Sequence, residues 1–246
     1  MVKDKMRLKE VDNIKSKGAS CGLYAVAMTI QALTDDRYDE EKLGDFLIDL
    51  AHARELTHVG ELFDIGKAEE FLLWVNDYLM SLDYKVRTFN SADELETVIE
   101  DGLQNGYYAM IPYYAKTAYP YVPNKKADMK NVHWGIIWGL EDGILQGSQS
   151  NVYKKKALRD QKVVDVYNAN AVLDGKVFEW YKYLKCKCME VTKVPKRLAE
   201  YENQVKKTCT QDSCVKLERL SPQECLHKVN LKGKLILIGL HTNNCR

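Results

Sequence analysis

Five prolines in 246 residues, one cysteine before residue 186 and no apolar run near the length of a bilayer span: this chain is first defined by what it has little of. The scarcity of proline, with no internal repeat or low-complexity tract, argues against a linker between independent units, so 1–246 reads as a single domain of two lobes. The first 17 residues, "MVKDKMRLKEVDNIKSK", are charged and lack the apolar core of a signal peptide. With no membrane span, a cytoplasmic location is expected. Cysteines there are thiols, metal ligands or a nucleophile rather than bridges. A net charge of +1 gives no global reason to expect nucleic acid or membrane as a partner, and a monomer is expected. The charge is uneven, however. From Lys185 onward 13 Lys/Arg face 6 Asp/Glu, whereas residues 1–184 hold 23 against 29. Such a basic C-terminal third is either a solvated surface or an attractor for an acidic partner.

What is present divides the chain in two. Apolar residues fall on nearly every face from Cys21 to Leu33, the pattern of a buried helix. "DEEKLGDFLIDLAHAREL" and "GELFDIGKAEEFLLWVNDYL" have the spaced apolar residues and acidic openings of surface helices, and "SADELETVIEDGLQNG" runs from a Ser/Asp cap to a closing glycine. "YYAMIPYY", "VHWGIIWGLEDGILQGSQ", "KVVDVYNANAV", "KVFEWYKYLKCKCMEV" and "GKLILIGL" are rich in aromatic and β-branched residues and predict strands, with a hairpin turn at Asp142 and Gly143. The expected fold is α+β: a helical lobe over about 14–105 and a mainly β, antiparallel lobe over about 106–246.

Three positions carry candidate chemistry. Cys21 stands behind "SKGAS" at the entrance of the buried helix, where the helix dipole favours thiolate, and its own N–H is placed to help an oxyanion. Gly18 and Gly22 suggest room for a substrate backbone. His133 opens the apolar strand "VHWGIIWG", a position from which an imidazole can take a proton across a cleft. After the hairpin turn the chain returns antiparallel, which brings Gln149, at the end of "ILQGSQ", back toward His133 as an orienting amide. A nucleophile on a helix, a base at a strand start and an amide on the next strand follow the logic of thiol hydrolysis. The back of the chain offers another reading. Cys209, Cys214, Cys225 and His227 could bind zinc and stabilise a basic interaction module.

The ordered stretches "GASCGLYAVAM", "THVGELFDIGKAEEFL", "AMIPYY", "HWGIIWG", "LQGSQSN", "VYNANAV" and "LKGKLILIGL" resemble the actin maturation proteases, cysteine peptidases of papain-like fold related to the C39-like group. That resemblance implies a central helix carrying the nucleophile in a helical lobe and a β lobe carrying the histidine. It implies removal of the N-acetylated first residue, methionine or cysteine, from newly made actin, without metal or organic cofactor. Carried over by position, Cys21 is the nucleophile, His133 the general base and acid, and Gln149 the orienting residue. Asn168, in "VYNAN", is in reserve for that last role. Gly22 and Trp134 border the substrate, with Tyr24, Tyr113 and Tyr114 as further walls. Papain-like enzymes place a glutamine five or six residues before the nucleophile to complete the oxyanion hole. Here those positions hold Lys15 and Ser16, which leaves Ser16 as the donor and raises the alternative of a catalytically weakened actin-binding or adaptor protein.

Overall fold

The computed structural model describes residues 6–12, 14, 16, 20–57, 60–115, 132–150, 158, 160–173, 177–178 and 227–241. Their elements are, in chain order, β1 (Met6–Arg7), α1 (Cys21–Leu33), α2 (Glu40–Ala53), α3 (Ile65–Tyr78), β2 (Leu82–Thr88), α4 (Ala92–Gln104), β3 (Tyr108–Tyr114), β4 (Val132–Glu141), β5 (Ile144–Gln149), β6 (Gln161–Lys162), α5 (Val163–Ala171), β7 (Val177–Phe178), β8 (His227–Lys228) and β9 (Lys234–Leu240). An antiparallel sheet in the order β2-β9-β3-β4-β5-β6, with β1 beside the far end of β4, forms the centre. β7 and β8 make a separate pair.

Helices cover both faces of that sheet. Side chains alternate along a strand, so each strand supplies two cores. Met110, Trp134, Ile136 and Ile238 pack toward the layer of α1, α2 and α3, while Ala109, Ile111, Ile137 and Leu237 pack toward α4 and α5. The unbroken apolar reading of "VHWGIIWG" is thereby explained, since β4 is buried on both sides. A β-bulge between Ile137 and Gly139 then shifts its register. The α+β class agrees with the expectation from the sequence, but the helices are layered on the sheet rather than gathered wholly in an N-terminal lobe.

Two segments differ from their sequence reading. "LDYKVRT", within the half expected to be helical, is an edge strand paired along its length with β9. "VVDVYNANA", expected to be a strand, is α5; its buried residues Val163, Val166, Ala169 and Asn170 recur every three or four positions, so tertiary packing overrides β-branched propensity. The hairpin is as expected, with Asp142 at φ 50° and Gly143 at φ 73°, the left-handed pair of a tight two-residue turn. Most of the predicted strand over 176–191 and the predicted loop over 120–131 lie outside the described residues.

α1 is the pivot of one core. All of it except Leu33 is buried, and it packs on β4 and α2. Side chains cap the N-termini of α2, α3 and α4, where Asp39, Asp64 and Ser91 each accept a backbone N–H. The Ser20 side chain makes no such bond at the start of α1, which stands where the strand bearing His133 begins.

Candidate active site

Packing of α1 across the start of β4 brings Cys21 to the histidine-bearing strand. The Cys21 Sγ lies 3.8 Å from the Val132 carbonyl, which accepts its S–H, and the backbone N–H of Trp134 is close enough to favour the anionic form of the same sulfur. His133 is the residue between those two contacts, and it is half-buried. Cys21 is only 6% exposed. Burial pushes its thiol up to about 11, against the N–H groups of Trp134, Gly22 and Cys21 itself, which favour the anion. The helix terminus was expected to hold a thiolate. Desolvation outweighs it, and the resting group is a neutral thiol.

The register across β3, β4 and β5 defines the other side. Tyr113 is paired with His133, and Gln149 with Gly135, two residues further along the same strand. Tyr113, His133, Gly135 and Gln149 therefore share one face of the sheet. The Tyr113 hydroxyl donates to Gln149 Oε1, and both side chains are buried. Gly135 leaves space that Leu158 fills, because a Cβ there would lie 1.9 Å from Leu158 Cδ1. Burial raises the Tyr113 phenol well above the usual tyrosine range, and the charge of Cys21 raises it further, so the two groups lie within electrostatic reach. The Tyr113–Gln149 pair thus lies on the sheet face that carries His133, while Cys21 meets the β4 backbone next to His133.

Other expected site residues have different surroundings. A Cβ on Gly22 would come within 2.9 Å of both Leu62 Cβ and Trp134 Cδ1, so the space beside this glycine holds core, not substrate. Trp134 is fully buried and its indole N–H donates to the Leu62 carbonyl at 2.7 Å, which corrects its expected place as a substrate wall. Tyr24, Tyr113 and Tyr114 are likewise fully buried. Ser16 reaches the site, but both its backbone N–H and its hydroxyl donate to the Ser150 carbonyl at 2.9 Å. The single hydroxyl proton is spent there rather than on an oxyanion. Asn168 is half-buried on α5. The buried amide of "VYNAN" is Asn170, which donates to the carbonyls of Pro112 and Leu231 and accepts from Gly233 N–H. Lys15, Gly18, Cys209, Cys214 and Cys225 lie outside the described residues, as does the side chain of His227. Among the described residues no group of three or more His, Cys, Asp or Glu could hold a metal, and no helix is long and apolar enough to cross a membrane.

Two features are not evident from the sequence pattern. Tyr113 reads there only as a wall, because its contact with Gln149 depends on a register that joins residues 36 apart. Within "GELF", Glu61 is buried and accepts the Thr57 hydroxyl at 2.5 Å, which secures the loop whose next residue, Leu62, holds the Trp134 indole. An acidic residue inside an apolar motif was the available signal.

Residues 11–141, just over half the chain, match the family described as actin maturation protease-like, C-terminal domain. A Bacillus anthracis chain described as a C39-like peptidase is similar in structure at 15% identity and a TM-score of 0.41, covering 66% of this chain and 92% of its own. No curated protein matches the chain.

Proposed function

Because the chain belongs to the actin maturation protease-like family, represented here by its C-terminal domain, we propose that it is a cysteine peptidase that removes the N-acetylated first residue, methionine or cysteine, from immature actin. The observation that carries this reading is the position of the Cys21 thiol between the Val132 carbonyl and the Trp134 N–H, the two neighbours of His133. Since the thiol is neutral at rest, His133 acts as a general base during attack rather than as the partner of a preformed thiolate. It takes the S–H proton while sulfur bonds to the carbonyl carbon of the acetylated residue. The backbone N–H groups of Cys21 and Gly22, which already favour negative charge at the sulfur, stabilise the developing oxyanion. His133 then returns the proton to the amine as the C–N bond breaks, leaving a thioester on Cys21. Water, deprotonated by the same imidazole, attacks the thioester and releases the acetylated amino acid and the free thiol. Gln149 orients the ring. Neither a metal nor an organic cofactor enters the scheme. The basic C-terminal third suits the acidic N-terminal region that actin presents.

A second reading has support in two observations. A thiol only 6% exposed and a Ser16 hydroxyl committed to Ser150 would also suit an adaptor that binds actin without cutting it. Acetylated peptides bearing an actin N-terminal sequence, incubated with the wild type, Cys21→Ala and His133→Ala, separate the two. The peptidase reading expects loss of one residue with the wild type and none with Cys21→Ala. Binding without cleavage by the wild type would favour the adaptor, and equal cleavage by Cys21→Ala would remove Cys21 as the nucleophile.

A further inference from the structure

The phenol of Tyr113 takes no part in that chemistry, yet its strand register, its hydrogen bond and its electrostatics each tie it to one of the three residues that do. It is fully buried, lies opposite His133 in the β3–β4 register, donates to Gln149 Oε1 and feels the charge of Cys21. A buried tyrosine hydroxyl needs a partner, so one bond to an amide is by itself unremarkable. Its direction matters more. An orienting amide has two chemically opposite ends, an acceptor oxygen and a donor NH2, and a half-turn exchanges them. With the NH2 end toward His133 the amide would offer a proton to the imidazole; with the oxygen end it would accept one. The hydroxyl of Tyr113 donates to the oxygen, on the strand that pairs with His133, and a carbonyl oxygen has a second lone pair left.

We infer that Tyr113 is a positioning residue: its hydroxyl holds the carbonyl end of Gln149 toward His133, which selects the imidazole tautomer that carries its proton on the Gln149 side and keeps a basic nitrogen for the Cys21 thiol. This rests on the proposed roles of Cys21 and His133. Phenylalanine would preserve the ring packing of Tyr113 and abolish the selection, because only the donor is lost.

The test uses the full 15N-labelled chain as wild type, Tyr113→Phe, Gln149→Leu and the double variant. Long-range 1H–15N NMR reads the His133 tautomer without any substrate, and cleavage of the acetylated peptide is followed against pH. One tautomer is expected in the wild type and a mixture in Tyr113→Phe. The kcat of that variant should fall on the order of tenfold to a hundredfold, with KM little changed and the acid limb of the pH profile displaced. In the Gln149→Leu background the Tyr113→Phe change should add nothing. A single tautomer and an unshifted pH profile in Tyr113→Phe would overturn the inference, as would an equal loss in the Gln149→Leu background, the mark of a packing role. If Tyr113→Phe fails to fold, the wild-type spectrum decides, since a His133 exchanging between tautomers there is also incompatible with the inference. Failure of the underlying reading looks different: Cys21→Ala would still cleave, whatever the tautomer.

Discussion

Cys21 is governed by two opposed effects of comparable origin in the fold. The end of a helix stabilises an anion by about 0.3–2 kcal/mol. Removal from water can shift a buried group by about 3–5 pKa units against its charged form. With the thiol 6% exposed and its pKa pushed up to about 11, the second effect wins. Alkylation by a small uncharged reagent such as iodoacetamide should therefore be slow at pH 7, and should rise about tenfold per pH unit until it levels near 11. A plateau reached below pH 8 would show a preformed thiolate instead. The candidate pairing of Cys21 with His133 was legible in the sequence through residue chemistry and the family resemblance, and the structure puts the Cys21 sulfur beside the strand of His133. The sequence did not reveal the protonation state, which depends on how closely β4 covers the sulfur.

At the level of elements, α1, β4 and the loop before α3 interlock through small and large residues. Gly22 admits the Trp134 indole and Leu62, so Gly22→Ala should cost about 1–3 kcal/mol in urea denaturation through overpacking. α5 offers a sharper comparison. Asn170→Ala would strand the buried carbonyls of Pro112 and Leu231 and the N–H of Gly233, a loss of at least about 2 kcal/mol, whereas half-buried Asn168→Ala should stay within about 0.5 kcal/mol. Equal effects at the two asparagines would contradict the placement of α5. Local pattern disclosed α1 to α4, the strands β3, β4 and β5 and the Asp142–Gly143 hairpin between the last two, since each is encoded by neighbours in sequence. It did not disclose α5, whose valines and tyrosine favour strand in isolation, or β2, whose charged residues form a strand only because β9, about 150 residues later, lies beside it. The choice of Asn168 over Asn170 follows from the same misreading, because a strand and a helix put different members of "VYNAN" inside.

In the whole molecule, the sheet with helices on both faces buries ionisable groups in their neutral forms, and this has a consequence for stability. The folded pKa values of Cys21 and Tyr108 are raised to about 11 and about 12, and that of Tyr113 is raised further, all by burial first. Unfolded chains lose these protons earlier, near pH 9 for cysteine and pH 10 for tyrosine. The unfolded state therefore binds fewer protons in alkali, and stability, intact below about pH 9, should fall as pH rises through 11 and 12. Denaturation curves from pH 7 to 11 should show this fall in the wild type, with a shallower slope in Tyr113→Phe and in Cys21→Ala; a flat profile would mean that these groups are not held neutral. The central claim joins one thiol and one imidazole across the start of β4 in peptide hydrolysis, and it has a direct chemical signature. The wild type is mixed with an N-acetylated, methionine-initiated actin peptide, quenched in acid and analysed by intact mass and peptide mapping. An acetylmethionyl thioester on Cys21, absent from Cys21→Ala, is the predicted result; release of acetylmethionine by Cys21→Ala at the wild-type rate, with no adduct on the wild-type protein, would contradict it.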